Sequence, residues 1–285
     1  MKIRNIAFII LAIAFVVSCA SNKESEKKEE VVETTDSVVE EDIPEEPSML
    51  VKAIEINQDG AVDSKVTFEY DELDRLIKAT THRNIGTDDE WISEATVAYG
   101  DGVITCEGRM RELTLTLDAD STVKKSEMIS EGEGIVLRYL YKSGKLSQIV
   151  NEIDCGNKYT WDGGNVNVTN IFAPSCDESY SFDSVEYTYG DVDRPNIDVL
   201  AFSEEFGDLP QAASVAPKGI VSKFMPTERK TRVYSDALVL MGTTIVKYTY
   251  TTDEFDRVST IEYNSKVYYD GGEDDLGNWV VKVMY

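Results

Sequence analysis

One unit recurs along this chain. FEYDELDRLIKA (68–79), LTLDADSTVKKS (115–126), YLYKSGKLSQIV (139–150), YTWDGGNVNVTN (159–170) and YTYTTDEFDRVSTI (248–261) share a layout. A strand-like run ends on Tyr, Trp or Leu. Asp, Gly or Lys follow, then a basic or polar residue, and an aliphatic residue opens the next run. Asp and Gly tolerate the unusual dihedrals of a tight turn. The aromatic and aliphatic residues that flank the turn pack across neighbouring strands. Each unit therefore predicts a β-hairpin, and its recurrence predicts a long antiparallel meander.

The residues between the turns agree. Val66–Tyr70, Glu112–Leu117, Thr244–Tyr250, Val258–Tyr263 and Trp279–Tyr285 alternate with period two and are rich in β-branched and aromatic residues. After the first eighteen residues no stretch keeps a helical period for three turns. Only short helical pieces between Ser203 and Ala216 are expected. The predicted class is all-β: an antiparallel meander of hairpins forming a curled sheet or partly open barrel, soluble. A membrane barrel is the competing architecture, suggested by the terminal Trp279-Val280-Val281-Lys282-Val283-Met284-Tyr285. Spanning strands need about 9–11 residues with an unbroken apolar row. Most strands here are shorter and mix Lys, Glu and Thr on either face.

The N-terminus carries targeting information. Lys2 and Arg4 precede the apolar run Ile6–Val17, too short for a membrane span of about 20 residues. This is the layout of an export signal. Val16-Val17-Ser18-Cys19 resembles the lipobox of bacterial lipoproteins. That resemblance implies a signal peptide over 1–18, cleaved before Cys19, and diacylglyceryl and acyl chains on Cys19. Two chains give stable anchoring. From Ala20 to Ser48 there is no aromatic residue and no Gly, but eleven acidic residues against three Lys. Such a segment buries too little apolar surface to offset its ordering entropy. Residues 19–48 read as a lipidated Cys with a disordered acidic tether, reaching at most ~100 Å. Residues 49–285 then form a single β-repeat domain.

The formal charge of −25 includes +2 in the signal and −8 in the tether, which leaves −19 on residues 49–285. That balance disfavours nucleic acid, whose phosphates need clustered Lys and Arg. The expected partners are the lipid bilayer, through the Cys19 anchor, and a glycan or envelope protein.

Beyond the lipobox, the Tyr-Asp flavour of the hairpins resembles the YD repeats of RHS-type proteins. The whole pattern looks more like a set of Bacteroides-type surface lipoproteins of unknown function. In those, hairpins are followed by an Asn-Pro-containing segment, a Ser-Lys-x-x-Pro segment and a final Tyr-x-Tyr hairpin. Tyr189 to Asp198, Ser222-Lys223-Phe224-Met225-Pro226 and Tyr248 to Tyr263 are similar to these in turn. Arg194 stands where Asn usually precedes the Pro. The resemblance implies a porin-like, curled β fold and an outer-membrane lipoprotein facing the periplasm or the cell surface.

Candidate chemistry is sparse. Asp118-Ala119-Asp120-Ser121-Thr122 matches the D-x-D-x-T motif of haloacid-dehalogenase phosphatases, but that motif belongs at a strand end in an α/β fold, and here it falls on a hairpin turn. His82 is the only His, which excludes zinc sites built on several His. It leaves any Ser-His-Asp triad dependent on a residue at a strand end. Acidic pairs such as Glu204 and Glu205 are expected by chance among 53 acidic residues. Asp270 to Asn278 offers oxygen ligands without EF-hand spacing. No catalytic residue, cofactor or metal ligand is assigned. Cys155 and Cys176 bracket the 159–171 hairpin and form a candidate disulfide in an oxidising envelope, whereas Cys106 reads as a small buried hydrophobe. Asp36-Ser37-Val38 fits the O-glycosylation pattern of Bacteroides-type envelopes, and Ser37 in the tether is its best placed match. Fifteen Tyr and three Trp favour a binding face over a catalytic one, and Trp161, beside its Asp-Gly-Gly turn, is the candidate ligand-facing aromatic. The expected function is an envelope-anchored, non-enzymatic binding or scaffolding module. The alternatives are a secreted carboxylate-dependent hydrolase of glycosidase type and a membrane β-barrel.

Overall fold

The computed structural model describes residues 48–58, 60–109, 111–130, 132–171, 182–204, 212–234 and 239–285. Among these described residues, sixteen antiparallel strands follow one another around a closed barrel. They are β1 (Ala53–Gln58), β2 (Ala61–Tyr70), β3 (Leu76–Arg83), β4 (Trp91–Tyr99), β5 (Val103–Glu107), β6 (Arg111–Leu117), β7 (Val123–Ser130), β8 (Glu133–Lys142), β9 (Lys145–Val150), β10 (Gly156–Asp162), β11 (Asn165–Ile171), β12 (Phe182–Asp193), β13 (Phe224–Tyr234), β14 (Leu240–Thr252), β15 (Val258–Tyr269) and β16 (Gly272–Met284). Among the described residues, two short helices, α1 (Val199–Glu204) and α2 (Ala212–Val215), lie between β12 and β13. The five hairpins read from the sequence are β2–β3, β6–β7, β8–β9, β10–β11 and β14–β15.

Closure corrects the expectation of a curled or partly open, soluble sheet. The first strand pairs with the last over its whole length, from Ala53↔Met284 to Gln58↔Trp279. Asn57 adds a side-chain bond to the Val280 carbonyl at 3.3 Å. Both would-be edges are thereby removed, and with them a row of unpaired backbone donors and acceptors. Nothing local in AIEINQ announces a partner more than two hundred residues away.

The turns explain how the meander is held in register. Asp71–Arg75, Asp118–Thr122, Asn151–Cys155 and Asp253–Arg257 adopt one conformation. The first N–H bonds to the fifth carbonyl at 2.8–3.0 Å, and the fourth N–H to the first carbonyl at 3.0–3.2 Å. The fourth residue sits in the left-handed region, with φ from 58° to 63° at Asp74, Ser121, Asp154 and Asp256. The first side chain folds back, its Oδ1 accepting the N–H groups of the third and fifth residues at 2.9–3.1 Å. This is a type I turn followed by a left-handed residue, one of the common hairpin connections. In two of them the fifth residue is Arg, which pairs with the leading Asp and lies over a neighbouring Tyr. Arg75 lies over Tyr99 at 4.4 Å and Arg257 over Tyr285 at 4.3 Å. Asp118 of the D-x-D-x-T run is thus a turn former whose carboxylate also accepts the Thr122 hydroxyl at 2.6 Å.

One mouth of the barrel is filled. Beyond β12, the described residues 194–204 and 212–223 fold inward and touch points around the rim. Asn196 Oδ1 accepts the Val51 N–H at 3.0 Å, and its amide donates to the Tyr70 hydroxyl at 3.2 Å. Phe202 meets Phe68 edge-on with centroids 5.1 Å apart. The Gly219 carbonyl accepts the Leu146 N–H at 2.8 Å, and Lys218 reaches the Asp120 carbonyl. The Ser222 hydroxyl accepts the Val166 N–H at 3.1 Å. Ile197, Val199, Phe202, Ala212, Val215 and Ala216 of this plug join one hydrophobic cluster with inward residues such as Ile54, Phe68, Leu115, Val258 and Ile261. A 16-strand porin barrel leaves an aqueous channel. Here the plug supplies the apolar surface that the inward Ile, Leu and Val residues require.

The inward face identifies the outward one, because side chains alternate along each strand. The outward positions carry charge. Lys65 pairs with Glu55 at 3.2 Å, Lys78 with Glu94 at 2.7 Å, Lys125 with Glu127 at 2.6 Å and Arg232 with Glu186 at 2.7 Å. Lys247, Thr249, Glu262 and Asn264 continue the band across β14 and β15.

Two outcomes test this architecture. Asp71, Asp118 and Asp253 are each held below the ordinary 3.8, first by side-chain bonds to Arg75, Thr122 and Arg257. Their contribution is therefore complete above about pH 4 and is lost as pH falls through the depressed folded values. Asn in all three places keeps the Oδ1 acceptor, as Asn151 does. The triple Asp→Asn variant should fold at pH 7 and show a shallower acid decline below pH 4 by circular dichroism. A Cβ at Gly219, where φ is +74°, would stand 2.6 Å from the Gly144 carbonyl oxygen. Gly219→Ala should destabilise by about 1–3 kcal/mol in denaturant unfolding and speed exchange of the Leu146 amide.

Candidate functional site

The lumen is graded from end to end. Toward the plug its walls are largely aliphatic, whereas toward the other mouth they carry Ser64, Thr81, Arg83, Ser93 and Ser265, all buried. Alternation in β14, β15 and β16 lines up four aromatic rings along the same inner face. Tyr250 and Tyr248 are 6.5 Å apart, Tyr248 and Tyr263 5.9 Å, and Tyr263 and Trp279 5.0 Å with planes only 14° apart. The Tyr250 hydroxyl is tied to the Pro226 carbonyl near the plug.

At the Trp279 end of this ladder lies a cavity of about 370 Å³ lined by Ile56, Gln58, Asp63, Arg83, Asn84, Arg229, Val246, Tyr263, Ser265 and Trp279. Arg83 on β3 and Arg229 on β13 are separated in the sheet by five strands, β2, β1, β16, β15 and β14. They share a cavity because those strands curve around it. The Asp63 carboxylate accepts the Ser64 hydroxyl at 2.6 Å. The volume falls within the 300–1,000 Å³ usual for small-molecule sites, and six of the ten described lining residues are polar or charged.

A second cavity of about 240 Å³ lies between the plug and β11–β13, with Tyr187, Tyr189, Arg194, Asp198, Ser222, Arg229 and Tyr248 in its wall. Its polar groups already hold the plug. The Tyr189 hydroxyl donates to the Val166 carbonyl at 2.7 Å and lies 2.8 Å from Ser222 Oγ. Burial raises the Tyr189 pKa against opposing hydrogen bonds, and Arg194 pairs with Asp198. Among the described residues neither cavity faces two carboxylates toward one another: the larger holds Asp63 alone, and the smaller holds Asp198 on its arginine.

The residues singled out from the sequence fall elsewhere. Trp161 lies on the inner face at the plugged end, its Nε1 donating to the Leu146 carbonyl at 2.6 Å and Lys145 over its ring at 5.1 Å. It is not part of the large cavity. His82 sits on the outer wall, 2.7 Å from Glu90, whose carboxylate also accepts the Gly86 N–H. Asp270 to Asn278 forms the β15–β16 turn and the first half of β16. Cys106 is a free, fully buried thiol on the inner face, and burial pushes its pKa up to about 12. Cys155 is disulfide-bonded. Cys176, Cys19, Ser37 and Glu205 lie outside the described residues. The aromatic ladder and the two lumenal arginines escaped sequence reasoning. Tyr248, Tyr250 and Tyr263 were visible as period-two aromatics, but Arg83 and Arg229 resemble any other strand cation until the barrel closes.

These features define the class: a closed, plugged β-barrel with a lumenal pocket. Two solved structures share the fold. One is a porin-like protein from Bacteroides uniformis, aligned with a TM-score of 0.57 and 14% identity over 84% of this chain and 97% of that one. The other is a porin-like protein from Bacteroides vulgatus, with a TM-score of 0.53 and 15% identity over 84% of this chain and 99% of that one. At such identities the likeness is one of fold. No family model matches the chain, and no curated protein sequence does.

Proposed function

We propose that this protein is an envelope-anchored lipoprotein that binds a small ligand in the lumen of its barrel rather than transforming one. The observation that carries the reading is the convergence of stacked Tyr263 and Trp279 with Arg83 and Arg229 on one 370 Å³ cavity. Aromatic faces take apolar ring surfaces, and the arginines supply directed hydrogen bonds. The catalytic alternative needs two facing acids about 5–10 Å apart, and no such pair lines either cavity among the described residues.

Attachment to the outer membrane falls to Cys19. A lysine or arginine at a bilayer midplane costs about 2–4 kcal/mol, and the outer wall carries such residues on many strands. That charge supports an acyl anchor over insertion, although the fold is shared with proteins described as porin-like. Residues 19–48 are the proposed acidic tether, Ser37 within it is the proposed glycosylation site, and Cys155–Cys176 is the proposed disulfide.

Cys19→Ala should leave unprocessed precursor and abolish fatty-acid labelling; a variant that matures and labels normally would refute the anchor. For the lumen, Trp91→Phe with Trp161→Phe leaves Trp279 as the sole tryptophan. Screening that protein against neutral and acidic sugars, short peptides and chromogenic glycosides should give a saturable change in Trp279 fluorescence. Turnover of a glycoside that vanishes on replacing one carboxylate would overturn the binding reading in favour of hydrolysis.

A further inference from the structure

Five neighbouring strands that only closure brings together bound the large lumenal cavity. Gln58 ends β1, Asp63 lies on β2, Asn84 follows β3, Ser265 lies on β15 and Trp279 on β16. The four polar side chains of this set have hydrogen-bonding capacity left over. Ser265 is only 8% exposed and lines the cavity, and its hydroxyl has no hydrogen-bond partner among the described residues. Its cross-strand partner is Gly277, which sets no side chain against it. A hydroxyl withdrawn this far from water is costly to leave unpaired.

The other three agree. Asp63 accepts the Ser64 hydroxyl with Oδ2, and its Oδ1 has no partner among the described residues. Asn84 donates from Nδ2 to the Asp89 carbonyl at 3.1 Å. That bond fixes the sense of the amide and leaves Oδ1 as a spare acceptor. The Gln58 side chain makes no hydrogen bond among the described residues, and its amide can both donate and accept. Two of the spare atoms, on Asp63 and Asn84, therefore only accept, whereas Ser265 and Gln58 do either. A matching ligand must donate hydrogen bonds in several directions, which an acid that carries no hydroxyl groups does not do.

Trp279 supplies the apolar side of the site. Tyr263 stacks on it at 5.0 Å with planes 14° apart, so the indole is held as a fixed aromatic surface. The electron-rich face of such a ring suits the polarised C–H groups of a sugar. The cavity's 370 Å³ equals the volume of about a dozen waters, which accommodates one monosaccharide.

On the reading that this cavity binds a small molecule, we propose that its ligand is an uncharged pyranose sugar. Its hydroxyls donate to Asp63 and Asn84 and exchange hydrogen bonds with Ser265 and Gln58, and its C–H groups lie against Trp279.

The test is calorimetric titration of the full-length protein in mild detergent with glucose, galactose and mannose. The controls are cyclohexanol, a ring with a single hydroxyl, and glycerol, which has hydroxyls without a ring. At least one hexose should bind about tenfold or more tightly than either control. Ser265→Ala removes a hydroxyl that no described group uses, so circular dichroism should be unchanged while that hexose binds severalfold more weakly. Asp63→Asn keeps one oxygen for Ser64, replaces the spare acceptor by a donor, and should weaken the hexose about tenfold or more. Both variants should leave any binding of cyclohexanol unchanged. Hexoses that bind no better than the controls, or that keep their affinity in either variant, would overturn the sugar assignment and leave lumenal binding standing. The same holds if no hexose binds while another compound of the wider panel shifts Trp279 fluorescence. No response from any compound in either set would sink the lumenal reading itself.

Discussion

The pairing of β1 with β16 is the contact on which the rest of the structure depends. It joins Ile54 and Ile56 to Val281 and Val283, inward residues from opposite ends of the domain, in one register. Without it the sheet has two edges and an inner face open to water. With it, the inner face becomes a lumen, and its residues must be either covered or hydrated. The plug covers those near one mouth, and the polar side chains near the other mouth line the cavity.

The polarity of the wall follows from the same constraint. In a porin the barrel exterior meets lipid and the interior meets water. Here the aliphatic positions of most strands face the plug, and the alternate positions carry Thr, Lys and Glu in cross-strand pairs such as Lys78 with Glu69 and Glu94. Such exposed pairs add little stability individually. The barrel shares the path of the chain with porin-like structures.

Much of the local structure was legible. Three of the four five-residue turns announce themselves through a leading Asp and a residue that tolerates the left-handed region. The fourth, Asn151–Cys155, was missed because Asn151 takes the place of Asp, although the amide oxygen makes the same two backbone bonds. The segments compared with lipoprotein motifs, Tyr189 to Asp198 and Ser222 to Pro226, are the two ends of the plug. Their Tyr189, Ser222 and Asn196 side chains fasten it to β11, β2 and the start of the barrel. They read as turn motifs because sequence shows the chain reversal without the surface it is bonded to. Trp161 was singled out for its place beside a Gly-Gly turn, and that place does bring it to the inner face, but its indole donates to Leu146 at the plugged end.

The sequence by itself determined the all-β class, the hairpin turns and the alternation that assigns each strand two faces, because these depend on dihedral preference and spacing within a dozen residues. It likewise carried the acidic character of the chain and the resemblance of Val16-Val17-Ser18-Cys19 to a lipobox. Only the tertiary structure decided that the sheet closes, which mouth is plugged, and that Arg83, Arg229, Tyr263 and Trp279 surround one cavity. Those outcomes depend on contacts between residues as far apart as Ala53 and Met284. Pairings at that separation are set by the summed register of every hairpin between them, which no single stretch of the chain records.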